Sequence, residues 1–142
     1  MRIFVDANVL FSAARSAGAI RTLLQALQSE GHALAADAYV VAEARRNLEA
    51  KAGAEALGYL EGLMAQIEIR QISYTDTAQE ESLARWLPEK DRPVLLAAMA
   101  MACDVLLTGD RTHFGAGYGK TFAGVTVYAP AQLARVLWAS PD

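Results

Sequence analysis

Ile3–Val5 and Val105–Leu107 are apolar at every position, and helical patterns fill most of the chain around and between them. Such strands, alternating with helices, argue for an α/β fold with a parallel sheet covered on both faces, since successive strand residues point to opposite sides and neither side is polar. Periodicity places strands at Arg2–Val5, His32–Ala36, Glu68–Ile72, Val105–Leu107 and Val125–Tyr128. Ile69 lies between polar neighbours, as in an edge strand. Helices are expected over Asn8–Arg15, Ala19–Ser29 and Ala38–Lys51, with Asp37 as N-cap of the third and Gly53 ending it. Further helices are expected over Ala54–Gln66, Asp76–Leu87, Asp91 to near Cys103, and Ala131–Trp138, while Gly109–Gly124 reads as a glycine-rich loop.

A chain of 142 residues has room for one domain and not two, so residues 1–142 are expected to share one core. Its 54% hydrophobic and 20% charged residues place it with globular rather than disordered chains. Cys103 is the only cysteine, which excludes an internal disulfide and fits a reducing cytoplasm. Only Ile3–Val5 separates Arg2 from Asp6, too short an apolar run for a secretory signal. The longest apolar run, Val94–Cys103, is about half of a membrane span. A cytoplasmic protein without membrane attachment is therefore expected. A net charge of −3 runs against a passive nucleic-acid binder, though a nuclease built around an acidic metal site would carry that sign.

In parallel sheets functional groups gather beyond the carboxyl ends of the strands, where strand order reverses. Asp6 closes the first strand and Asp110 follows Val105–Leu107, so both are expected at one sheet edge. Glu43 sits at the margin of the stripe formed by Val40, Val41, Ala44 and Leu48, beside Tyr39 and Asn47. Asp91 opens a helix with Pro93 in its first turn. Each acid also has a simpler role. Asp6 and Asp91 suit helix caps, Asn8 could cap in place of Asp6, Glu43 suits a solvated helix face, and Gly109-Asp110 suits a turn.

Taken together, FVDANVL, YVVAEARRNL, KDRPVLLAAM and LLTGDRTHF resemble, in order and over nearly the whole chain, the four motif blocks of the PIN-domain ribonucleases, which include VapC-type toxins. The resemblance implies a three-layer α/β/α sandwich around a parallel sheet. By motif, Asp6, Glu43, Asp91 and Asp110 match the family's catalytic acidic quartet, and Asn8 and Thr108 match its supporting polar positions. Glu89 competes with Asp91 for the third place, but the Arg-Pro-Val-Leu-Leu-Ala-Ala that follows favours Asp91. Gly115, Gly117 and Gly119 lengthen the loop after Asp110 beyond what a compact toxin suggests.

Carboxylates about 5 Å apart repel by roughly 3 kcal/mol per pair at an effective dielectric near 20. Four such groups need protonation or a cation to share a site. Oxygen donors alone point to Mg²⁺ or Mn²⁺ and away from zinc. In this reading Asp6, Asp91 and Asp110 bind the metal, Glu43 completes the site, and Asn8 and Thr108 orient the carboxylates. The metal would support hydrolysis of an RNA backbone. Arg111 is the first candidate for a phosphate contact, ahead of Arg45, Arg46 and Lys120, while His113 reads as a surface or packing residue. The resemblance further implies a toxin paired with an antitoxin protein, and a homodimer, for which the apolar stretch LGYLEGLMAQI is a candidate face. Two rival readings remain: a PIN-like module that binds RNA or protein without cutting, and a haloacid-dehalogenase-type phosphatase. The latter is opposed by Asn8 in place of a second Asp and by the lack of a convincing lysine motif, Lys51 ending a helix and Lys90 adjoining Asp91.

Overall fold

In the computed structural model, which describes residues 1–72 and 78–139, six strands form one sheet in the order β3-β2-β1-β4-β6-β5. They are β1 (Arg2–Val5), β2 (Ala33–Asp37), β3 (Glu68–Arg70), β4 (Val105–Leu107), β5 (Thr121–Phe122) and β6 (Val125–Tyr128). All neighbours pair parallel except β5 and β6, so the sheet is mixed rather than wholly parallel. The helices are α1 (Ala7–Arg15), α2 (Ala19–Ser29), α3 (Ala38–Lys51), α4 (Ala54–Met64), α5 (Ala78–Ala84), α6 (Arg92–Ala100), α7 (Arg111–Phe114) and α8 (Pro130–Trp138). They flank the sheet in the α/β/α arrangement that the resemblance implies.

The apolar runs explain the layering. Ile3, Phe4, Val5, Leu106 and Leu107 are fully buried, and only helices on both faces can exclude water from side chains that alternate in direction. Helix α1 packs on α2, α3 and α4, and α5 packs on α6. Leu60 and Leu63 of LGYLEGLMAQI are buried, so much of that stretch's apolar excess belongs to the core. Among the described residues no helix is long and apolar enough to cross a membrane.

Strand β2 starts one residue later than periodicity suggests and ends on Asp37, which pairs in register with Arg70 while its carboxylate accepts from Val40 N. Strand β3 stops at Arg70 and lies at the sheet edge. Helix α4 ends at Met64, and α6 at Ala100, after which Ala102 turns back at φ 52°. The expected start of a helix at Asp76 lies outside the described residues.

The largest correction concerns Gly109–Gly124, which is not an open loop. It holds α7, a 3-10 turn at Gly115–Gly117 and strand β5. Phe114 is fully buried, the Tyr118 hydroxyl donates to Thr108 O at 2.9 Å, and Trp86 stacks on Phe122 with centroids 5.0 Å apart. A Cβ on Gly117 would lie 2.3 Å from the Trp86 ring, so glycine there permits a close approach rather than looseness. The β5–β6 turn places Ala123 and Gly124 at φ 49° and 85°, the signs of a type I′ hairpin turn, whose twist suits the strands.

Candidate active site

Strand order reverses between β1 and β4: β2 and β3 extend to one side, β6 and β5 to the other. Crossover chains diverge at such a point and leave a crevice beyond the strand ends. Asp6 follows β1 directly, and Thr108 and Asp110 follow β4. Asp6, Glu43, Asp91 and Asp110 line one cavity of about 390 Å³ there, with Ala7, Asn8, Phe11, Asn47, Lys51 and Lys90. Glu89 lies in a different concavity, beside Arg92 and Leu96.

A short hydrogen-bond network fixes the floor. Thr108, fully buried, donates its hydroxyl to Asp6 Oδ2 at 2.8 Å and accepts from Asp110 N at 3.2 Å. The Asn8 amide donates to Asp6 Oδ2 at 3.1 Å and to Thr108 Oγ1 at 3.3 Å, while its Oδ1 accepts from Gly109 N at 2.7 Å. Asn8 therefore joins the end of β1 to the end of β4, a task for which a group both donating and accepting is needed. Asp6 itself accepts from Ala7 N at 2.8 Å and serves as N-cap of α1. Capping and membership of the cavity thus coexist in Asp6. The same holds for Asp110, whose Oδ1 accepts from His113 N at 3.2 Å.

Asp91 differs. Its carboxylate caps nothing: it sits in a helical conformation at the end of a 3-10 turn, and the expectation of a side-chain N-cap fails there. The Tyr39 hydroxyl donates to Lys90 O at 3.2 Å, which ties the start of α3 to this turn. Asp91 Oδ2 is buried and has no hydrogen-bond partner among the described residues. His113 Nδ1 lies 3.1 Å from this oxygen and 2.8 Å from Asp110 Oδ2.

The imidazole between two carboxylates is the main surprise. His113 is half-buried beside Asp91 and Asp110, and these three offer ligand atoms within 4.8 Å of one another. The sequence by itself suggests a surface or packing residue at this position. Its place three residues after Asp110 on a short helix was the available signal. Lys51 and Lys90 were also missed as wall residues, whereas Arg111 lines a neighbouring, largely apolar concavity beside Ile20, Leu23 and Tyr118.

Burial dominates the electrostatics. Desolvation raises the Asp6 carboxyl to about 6, and the charges of Glu43 and Asp91 push the same way, against the hydrogen bonds from Thr108 and Ala7. Asp91 is also raised, first by desolvation and then by Asp110, with His113 and Lys90 opposing. Such a group of carboxyls resists full ionisation unless a cation joins it.

Known structures of similar fold include VapBC2 from Rickettsia felis bound to a promoter DNA fragment (TM-score 0.60, 16% identity, 91% of this chain and 98% of that chain). FitAcB from Neisseria gonorrhoeae is similar to a like degree (0.58, 18%, 91% and 98%). So is VapC20 of Mycobacterium tuberculosis, described as a sarcin-ricin-loop-cleaving toxin (0.56, 14%, 84% and 98%). At these identities the likeness is one of fold. No curated protein sequence matches the chain significantly. Residues 2–112, which span the strands and helices carrying all four acids, match the PIN domain family profile, and the chain belongs to the PIN domain family.

Proposed function

We propose that the protein is a metal-dependent endoribonuclease that hydrolyses phosphodiester bonds in the cavity lined by Asp6, Glu43, Asp91 and Asp110, as the toxin of a toxin–antitoxin pair. One observation carries this reading: four carboxylates from four separated chain segments share a single cavity at the strand-order switch. A structural role alone gives no reason to gather like charges in a place where burial already disfavours them.

The donor set fits a hard divalent cation. Asp91 Oδ2, buried without a hydrogen bond and 3.1 Å from His113 Nδ1, is an oxygen that a cation could take up. Asp6, Asp91 and Asp110 would hold Mg²⁺ or Mn²⁺, with Glu43 completing the set. The nearby His113 nitrogen makes the site less purely oxygen-based than the sequence suggests, which favours Mn²⁺ over Mg²⁺ in relative terms. When bound, such an ion lowers the pKa of water and offsets charge on the phosphodiester. The chain's own residues do the rest. Thr108 and Asn8 hold Asp6 in one orientation, Asp110 is steadied by its own cap and by His113, and Lys51 and Lys90 supply positive charge at the rim for a phosphate.

An antitoxin partner and a homodimer belong to the same proposal. The paired names of the VapBC2 and FitAB structures, and the description of VapC20 as a sarcin-ricin-loop-cleaving toxin, support this reading. The test is cleavage of RNA by wild type with Mn²⁺, with chelator, and by Asp6→Asn. Loss of cleavage in both controls is the expected result. A folded wild type that cuts no RNA tried, with either metal, would favour a binding module.

A further inference from the structure

Two helices leave the acidic cavity side by side. Helix α1 begins after Asp6 and α3 begins after Asp37, and the two pack together. On α1, Asn8 and Phe11 line the acidic cavity, and Arg15, one turn beyond Phe11, lines a second and larger concavity of about 630 Å³. On α3, Glu43, Asn47 and Lys51 recur every four residues, which places them on one face. Lys51 lines both concavities, so they adjoin at that side chain.

The character of the groove changes along its length. At the helix N-termini it is acidic; about 10–12 Å further on, at a rise of 1.5 Å per residue, it is cationic. Basic residues in a last helical turn often serve the helix's own free carbonyls. Here Arg21 performs that task for α1, donating to Ala13 O and Ala14 O at 2.8 and 3.2 Å while its guanidinium lies 3.6 Å from the centre of the Tyr59 ring. Arg15 is left over the Phe11 ring at 5.7 Å, and neither it nor Lys51 has an ion-pair partner among the described residues. Glu55 is the one carboxylate on the wall of the larger concavity among the described residues.

We propose that the α1–α3 groove is the path along which single-stranded RNA runs out of the acidic cavity, with Arg15 and Lys51 holding backbone phosphates and Phe11 offering a face on which a base stacks. The inference rests on the nuclease reading above and adds where the strand flanking the reacting bond goes. An acidic pocket repels its own polyanionic substrate, so affinity must come from cations just outside the carboxylate cluster. An aromatic ring between those cations and the cluster suits stacking, which tolerates any base.

The test is the salt dependence of binding of a short labelled oligouridylate, followed by fluorescence anisotropy in Mg²⁺ with Asp6→Asn protein, which spares the probe from cutting. Adding Arg15→Gln with Lys51→Gln is expected to reduce the slope of log Kd against log salt by about 1.4, at about 0.7 per phosphate contact on a single strand. The charge-keeping pair Arg15→Lys with Lys51→Arg should retain the slope, and so should Arg135→Gln on α8. Phe11→Ala should weaken binding about tenfold with little change in slope. Equal slopes with and without the two Gln substitutions, in proteins of equal melting temperature, would overturn the path. So would a polyglutamate probe losing affinity through these substitutions while the oligouridylate does not, since the groove would then fit an acidic polypeptide. Absence of metal-dependent cleavage by wild type would instead overturn the nuclease reading, and the slopes would still decide the path.

Discussion

Replacing Asp6 with Asn in metal-free protein is expected to stabilise the fold near neutral pH and to destabilise it in acid. Folding carries the Asp6 carboxyl from an ordinary 3.8 to about 6, chiefly through desolvation. The native state therefore binds this proton more tightly than the unfolded chain does, and the stability it contributes is present in acid and lost as pH rises. At about 1.4 kcal/mol per pKa unit, the ionised carboxylate weakens the native state by about 3 kcal/mol above pH 6, and by almost nothing below about pH 4. Asn removes that penalty but accepts on one side only. Of the donors Ala7 N, Asn8 Nδ2 and Thr108 Oγ1, the hydroxyl can turn to accept, and one N–H loses its acceptor. That loss costs about 1–2 kcal/mol. The balance is a gain of about 1–2 kcal/mol near neutral pH, or about 3–6 °C in Tm for a chain of this size, and a comparable loss near pH 4. Thermal unfolding with chelator across this range, read as variant minus wild type so that shared titrations cancel, is the assay. A difference that does not change with pH, or a variant less stable than wild type near neutral pH, would refute the account of Asp6 as a buried, strained charge.

Added Mn²⁺ should raise the Tm of wild type more than that of Asp6→Asn or Asp110→Asn, because a ligand stabilises only the state that binds it; equal shifts would place the ion elsewhere. Thr108→Val removes a donor to Asp6 and an acceptor for Asp110 N, so a loss of about 2–3 kcal/mol is expected in chemical denaturation, with Thr108→Ser within about 1 kcal/mol of wild type. Gly117→Ala would drive a methyl into the Trp86 ring, and a loss of about 1–3 kcal/mol with altered Trp fluorescence is expected; an unchanged Tm would show that the α7–β5 segment gives way easily.

Much of the frame was legible because its physics is local. A strand apolar on both faces has few options, and β1, β4 and β6 lie where periodicity puts them. So do α1, within one residue, and α2 and α3, which begin after Asp6, Gly18 and Asp37. The glycine-rich stretch after Asp110 misled because glycine is equally at home in a loose loop and under an aromatic ring. Nothing local tells that Trp86 covers Gly117. Lys51 looked like an ordinary helix-ending base, since its stripe with Glu43 and Asn47 is polar and reads as solvated until α1 is laid beside it.

By itself the amino-acid sequence determined that acids would stand at the ends of buried strands and at a helix start, because the apolar pattern fixes where each element stops. Only the tertiary structure decided which of those acids meet, that Asp91 leaves a buried oxygen without a hydrogen bond instead of capping α6, and that His113 enters between two of them. The reason is the strand order. Residues about a hundred positions apart, such as Asp6 and Thr108, become hydrogen-bonded neighbours only once β1 and β4 pair, and that pairing depends on packing across the whole sheet.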